Sequence, residues 1–295
     1  MSKQHLRRSI QLVRAVGCAS MQVVRVMTWN LWWRFGPWQE RLDAIVAVVA
    51  AQQPDVLFLQ EVWADSDDSA AGRIAASLGH HVALSDDPFR DRRGDRPGFH
   101  NAIVSRWPLL EVESHPLPGA DGLAGHRRAL TAVVDAPHGR WPVLCTHLDH
   151  RFDESAAREA QCRVVLDLVA ARRGDPEHGR PMIVAGDFNA VPDSDEIRVL
   201  TGRRAAPVPG LVLSDCWEHV GTDDGATWRR DNPYQAATAW PNRRLDYVFV
   251  SWPRPKPIGN PVRAWLAGCA PVDVGGSGPV TPSDHAAVVV DLVTT

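Results

Sequence analysis

The sequence predicts one α/β domain in which two mixed β-sheets pack face to face with helices outside. Three observations carry this. Short apolar runs that read as buried strands alternate with amphipathic helical stretches at the front of each half of the chain. Several strand-like runs then follow one another with only turn signals between them. No linker divides the 295 residues: 205–210 and 253–259 are Pro-rich but too short to separate domains, and no fixed-period repeat is present.

The elements follow in order. Residues 23–31 (VVRVMTWNL) form a β-rich apolar run, read as the first buried strand. Residues 38–52 place Leu42, Ile45, Val46, Val48 and Val49 on a helical stripe that Pro54 terminates. Residues 55–61 (DVLFLQE) read as a second buried strand whose end delivers a carboxylate. Residues 69–78 read as helix, and 86–98, rich in Arg, Asp, Gly and Pro, as a long surface loop. Strands are expected over 101–105, 109–114, 129–134 and 143–147, then an amphipathic helix over 153–172. A buried strand over 181–185 (PMIVA), a short helix over 193–200, and strands over 211–216, 245–251, 262–266 and 285–292 complete the chain.

An apolar fraction of 44% with 23% charged residues suits a globular protein with a large core. The net charge of −3 provides no global basic field, so any contact with nucleic acid must use a local patch. Five scattered cysteines have no disulfide or zinc spacing and are read as reduced, which fits a cytoplasmic protein. Arg14 interrupts the apolar stretch after Arg7 and Arg8 too soon for a secretory signal. Residues 1–20 are therefore read as a disordered or mis-assigned leader, and 21–295 as the domain. No stretch approaches the ~18 apolar residues of a membrane helix, so stable membrane insertion is not expected; a monomer is.

Strand ends repeatedly carry a polar residue that a strand end does not need. These are Asn30, Glu61, His147, Asp187 with Asn189, Asp246, and Asp284-His285. Singly, each has a structural explanation: Asn30 caps a turn, Glu61 pairs with an arginine, Asp187 caps a helix. Together they place charge at the margin of a core, which is costly without compensation. Hard carboxylate and amide oxygens call for Mg²⁺ or Mn²⁺ rather than zinc. Two histidines beside carboxylates call for proton transfer. Metal, acid and base without a covalent nucleophile describe direct attack by water, and no G-x-S-x-G, GxxxxGK, HExxH or GxGxxG motif offers another mechanism.

Trp29-Asn30, Leu59-Gln60-Glu61-Val62, Thr146-His147-Leu148, Gly186-Asp187-Phe188-Asn189, Arg244-Leu245-Asp246-Tyr247 and Ser283-Asp284-His285 resemble, in order, the motifs of the endonuclease/exonuclease/phosphatase superfamily. The resemblance covers residues 23–293 and implies a four-layered αββα sandwich of the deoxyribonuclease-I-like kind. It also implies roles. Glu61, with Asn30 and Asp284, would form the metal site. Asp187 and Asn189 would orient the attacking water and contact the scissile phosphate. Asp246 would hold His285 in its working tautomer, and His147 would bond the phosphate or protonate the leaving oxygen. Arg128 would be a phosphate ligand through its bidentate guanidinium.

Thr146-His147-Leu148 departs from the abasic-site endonucleases, which carry tyrosine and asparagine there. Where deoxyribonuclease-I-like enzymes supply a glutamate to the histidine at position 147, this chain offers His100 and Asn101. Of the twelve tryptophans, Trp32, Trp33 and Trp38 follow Asn30, and Trp228 and Trp240 precede Asp246. They either stack on bases, dip into lipid headgroups or pack the sandwich edges. The expected function is a Mg²⁺-dependent phosphodiesterase with nuclease-like activity on a phosphate-ester substrate such as nucleic acid. The alternatives are hydrolysis of a phospholipid headgroup or small phosphate ester, and a catalytically silent scaffold, which the unreplaced motif positions argue against.

Overall fold

The computed structural model describes residues 22–90, 94–122, 124–276 and 278–295; the leader expected over 1–20 lies outside them. One six-stranded sheet contains β1 (Val23–Asn30), β2 (Val56–Ala64), β3 (His81–Leu84), β4 (Gly98–Ser105), β11 (Pro261–Ala267) and β14 (Ala287–Val293), in the order β11-β14-β1-β2-β4-β3. The other contains β5 (Leu109–Pro118), β6 (Ala124–Ala136), β7 (Gly139–His147), β8 (Ile183–Asp187), β9 (Val212–Asp215) and β10 (Asp246–Trp252), in the order β5-β6-β7-β8-β10-β9. Two short strands, β12 (Val272–Asp273) and β13 (Pro279–Val280), pair as a separate ribbon, and helices α1 (Trp38–Gln52), α2 (Ala70–Leu78), α3 (Ser155–Arg172), α4 (Asp195–Leu200) and α5 (Cys216–Val220) lie between strands along the chain. No described helix is long and apolar enough to cross a membrane.

Alternation along the strands builds the layers, because successive side chains point to opposite faces. Val24, Val26, Val56 and Phe58 of one sheet meet Val143, Cys145, Ile183, Ala185, Val248 and Val250 of the other in the inter-sheet core. The intervening Met27, Trp29, Leu57 and Leu59 face outward against Leu42, Ile45 and Val49 of α1 and Ile74 of α2. On the far side, Leu144, Val184, Tyr247 and Phe249 face Cys162, Val165 and Leu166 of α3 and Ile197 of α4. This is the expected four-layered αββα arrangement. Each fully buried aliphatic or aromatic side chain contributes about 1.5–3 kcal/mol, so the three apolar layers carry the stability.

The differences from the sequence reading lie at ends. Strand β2 runs past Glu61 to Ala64, and β3 and α5 were not anticipated. Asp215 caps α5 by accepting from the Trp217 and Glu218 N–H groups, a signal hidden inside an apparent strand. His285 precedes the last strand and pairs singly with Trp228.

Gly186 sits where β7 and β8 approach most closely, with φ +152°, and a Cβ there would lie 1.9 Å from the Thr146 carbonyl oxygen. Only glycine fits without parting the two strands. Gly186→Ala is expected to destabilise the protein by about 2–4 kcal/mol, read as a lowered urea midpoint with the slope unchanged.

Candidate active site

Counting by two, the inward series of β1, β7 and β8 end on Asn30, His147 and Asp187, and that of the antiparallel β10 begins on Asp246. His147 and Asp246 are both direct partners of Asp187 across the sheet, so three functional side chains stand in one row. The opposite sheet closes on that row, and Asn30 Nδ2 donates to Asp187 Oδ2 at 3.0 Å. Glu61 belongs to the outward series of β2. A register shift between Leu59 and Val62 and a left-handed φ of 51° at Glu61 turn its carboxylate into the gap, where Asn30 Nδ2 lies 3.3 Å from Oε1. The carbonyls of Gln60 and Glu61 then receive the N–H groups of Leu31 and Trp33, which fixes the chain leaving β1. A left-handed backbone outside glycine costs on the order of 1–3 kcal/mol, and here it delivers a ligand-type side chain.

His285 Nδ1 lies 2.8 Å from Asp246 Oδ2, and His285 Nε2 lies 4.0 Å from Asp187 Oδ2. On the other side His147 Nε2 is 3.5 Å from the same Asp187 oxygen. Asn189, also left-handed at φ 50°, donates its backbone N–H to Asp187 Oδ1 and its amide to the Leu148 carbonyl. Asp284 Oδ2 accepts from Gln235 Nε2 at 2.9 Å. Asn30, Glu61, His147, Asp187, Asn189, Asp284 and His285 line one cleft of about 570 Å³; Asp246 lies behind His285.

The charges perturb one another strongly. Burial, then the neighbouring Asp246, pushes the Asp187 carboxyl up to about 6. Burial is also the main cause that takes Asp284 up to about 7, with His285 opposing and Glu61 adding. Glu61 is raised by desolvation in the cleft floor, against the attraction of Arg127. Desolvation acts against protonation of His285, but Asp246, Asp284 and Asp187 together overcome it and hold the imidazole charged well above its usual range. His147 is driven far the other way by burial and by the Arg127 cation, and so is neutral. Two histidines in one cleft thus occupy opposite protonation states, which separates their chemical roles.

Four carboxylates face each other here with too little positive charge to balance them, and Asp246 Oδ1 has no hydrogen-bond partner. An oxygen-rich, anion-rich floor of this kind fits a hard divalent cation. Donor atoms of Asp187, Asp246 and His285 lie within 4.8 Å of one another. His285 Nδ1, however, is already committed to Asp246, so that trio reads better as a proton-handling unit and the Glu61 and Asp284 side as the cation site. Asn30 stands beside Glu61 with its Oδ1 accepting from the Trp32 N–H and its NH₂ turned toward the carboxylates, where it can also meet a phosphate oxygen.

Arg128 is not among the residues lining the cleft. Its Nη1 donates to the carbonyls of Gly125 and Arg127. Arg127 occupies the cleft instead, with Nη1 2.9 and 3.1 Å from the two ring nitrogens of His147 and Nη2 3.1 Å from His150 Nδ1. The pleat of β6 counts Arg128 inward, but the last pair with β7 is Ala129 opposite Thr146, and beyond it Arg127 is free to fold over His147. His100 bonds the Ser85 carbonyl and Asn101 the Arg128 carbonyl, so the polar partners of His147 among the described residues are Arg127 and Asp187. Arg41 also escaped the sequence reading. It is buried, and its guanidinium donates to five carbonyls, those of Leu31, Trp32, Trp33, Phe35 and Pro282, tying the loop after Asn30 to the segment before Asp284. Among the tryptophans, Trp32 and Trp228 line the cleft, whereas Trp33 and Trp38 pack against the outer core.

The sequence profile of the Endonuclease/Exonuclease/phosphatase family matches residues 27–285. The chain is 26% identical to protein angel of Drosophila melanogaster over 57% of this chain and 48% of that protein. To the inositol phosphosphingolipids phospholipase C of Schizosaccharomyces pombe it is also 26% identical, over 77% of this chain and 60% of that protein. It therefore spans about half to three fifths of the length of these relatives. Among solved structures, D. rerio TDP2 complexed with a single-strand DNA product shares the fold, with a TM-score of 0.70, 20% identity, and coverage of 92% of this chain and 99% of that one.

Because the Arg127 cation adds to burial in keeping His147 neutral, Arg127→Ala is expected to raise the His147 pKa, while Arg128→Ala leaves it in place. NMR titration of the histidine ring protons distinguishes the two.

Proposed function

Since the chain belongs to the endonuclease/exonuclease/phosphatase family, we propose that it is a metal-dependent phosphodiesterase with nuclease-like activity, acting by direct attack of water. The observation that carries this reading is the buried Asp246–His285 pair at 2.8 Å, aimed at Asp187 in a cleft that also gathers Glu61, Asp284, His147 and Arg127. Asp187, with its carboxyl near 6, is the base that takes the proton of the attacking water, because a catalytic base works best when its pKa lies near the working pH. Asn189 orients that water and contacts the phosphate. Charged His285, its Nδ1–H held by Asp246, presents Nε2–H to a phosphoryl oxygen as negative charge builds there. Arg127 and neutral His147 hold the phosphate from the opposite wall. Glu61 and Asp284 are the residues that would hold Mg²⁺ or Mn²⁺, which when bound supplies Lewis-acid polarisation and charge neutralisation.

We place the catalytic unit in residues 21–295 and its site of action in the cytoplasm. Cys145, Cys162 and Cys216 are free and buried and Cys269 is free and exposed, as a reducing compartment allows.

Activity on bis(p-nitrophenyl) phosphate should vanish with a chelator and return with Mg²⁺ or Mn²⁺ but poorly with Zn²⁺. Glu61→Gln should lose most Mg²⁺ affinity by calorimetry while keeping its melting temperature; unchanged metal binding would remove Glu61 from the ligand set.

For the Asp246–His285 unit, each of His285→Ala and Asp246→Asn is expected to lower kcat by about 10²–10⁴-fold under saturating Mg²⁺. The double variant should be little worse than either single, because the two act as one unit. Cleanly multiplicative losses would dissolve the pair.

A further inference from the structure

We propose that Phe152, Trp240 and Arg243 form a platform that stacks an unpaired nucleobase and grips its adjoining phosphate at the rim of the cleft, an inference that rests on the phosphodiesterase reading above. The rings of Phe152 and Trp240 come from different loops yet lie 4.4 Å apart at 32°, and both are largely open to solvent, 55% and 41% exposed. The Arg243 guanidinium lies 4.8 Å from one ring centroid and 4.7 Å from the other. Burial and the nearby Arg158 lower its pKa, and among the described residues no carboxylate offsets them. A cation laid on two rings, with its N–H donors uncommitted, is equipped to take a phosphate oxygen while the rings take a flat π-face.

The platform is tied to the chemistry. Trp228 and Arg243 exchange backbone hydrogen bonds at 2.9 and 2.8 Å, and Trp228 pairs in turn with His285. Arg243 stands three residues before Asp246, and Phe152 five after His147, so both loops start from catalytic strands. The exposed large apolar residues near this rim, Phe35, Phe152 and Trp240, are all aromatic. A base in a single strand offers the flat face that such rings stack on, with little dependence on its identity, and the Arg243 guanidinium lying on both rings supplies a cation for its phosphate.

The test is binding by the full chain, with chelator present so that nothing is cut. Fluorescence anisotropy would compare a single-stranded DNA oligomer with a base-free tetrahydrofuran phosphodiester of the same length and charge. The wild type is expected to prefer the base-bearing strand by about tenfold or more, as one base–aromatic stack implies. Trp240→Ala and Phe152→Ala should each erase most of that preference, and Arg243→Gln should weaken binding of both oligomers. Equal wild-type affinity for the two, or a preference that survives both aromatic variants, overturns the platform. So does strong binding to phospholipid vesicles that Trp240→Ala abolishes. Hydrolysis of bis(p-nitrophenyl) phosphate by the same preparations, measured separately with Mg²⁺, reports on the phosphodiesterase reading and not on the platform.

Discussion

The period-two pleat governs where charge can stand in this protein. Inward positions of β1, β7, β8 and β10 are apolar apart from Thr28 until the strands reach one end of the sandwich, where the same positions hold Asn30, His147, Asp187 and Asp246. They are buried there, and little water reaches them. Each must therefore be satisfied by another member of the group, as Asn30 satisfies Asp187 and Asp246 satisfies His285. The register of the second sheet, with His147 and Asp246 both opposite Asp187, makes that mutual satisfaction geometrically possible. A one-residue slip in any of these strands would send its functional side chain into an outer apolar layer.

Regular strands alone do not complete the cleft. Glu61 reaches it through a bulge and Asn189 through a left-handed residue just beyond β8. Arg41 replaces a whole network of loop contacts by drawing five carbonyls onto one guanidinium. A buried cation held only by neutral dipoles keeps its positive charge uncompensated by any direct ion pair. Part of that charge is felt by Glu61 and Asp284, whose repulsion it reduces. Structural support and site electrostatics thus share a residue.

Whatever follows from alternation was legible in the sequence. The apolar runs marked the buried strands, their polar ends marked the cleft, and Pro54 ended α1 where expected. Departures from alternation were not legible. The outward parity of Glu61 argues against its inward position; its place at a strand end and the ordered motif resemblance pointed there instead. Arg127 and Arg128 are chemically identical neighbours, and pleat counting favours Arg128, although both lie where β6 is no longer paired with β7. Arg41 looked like one charged residue on a helical face. Its role depends on carbonyls up to 241 residues away, which no local pattern encodes. The amide orientation of Asn30, set by one Trp32 N–H, lies equally beyond sequence.

The pairing of β1 with β14 sets a condition on how the molecule comes into being. Val23 stands opposite Val293, and Val26 opposite Val290, in the middle of a six-stranded sheet. During synthesis β1 emerges with one of its two neighbours still unmade, and it keeps an open edge until β14 has been translated. Contacts of such long sequence separation form late and slowly, because the entropy of closing the loop must be overcome before any contact rewards it. Asp284 and His285 lie just before β14 and arrive with it. Completion of this sheet and assembly of the cleft are therefore the same event.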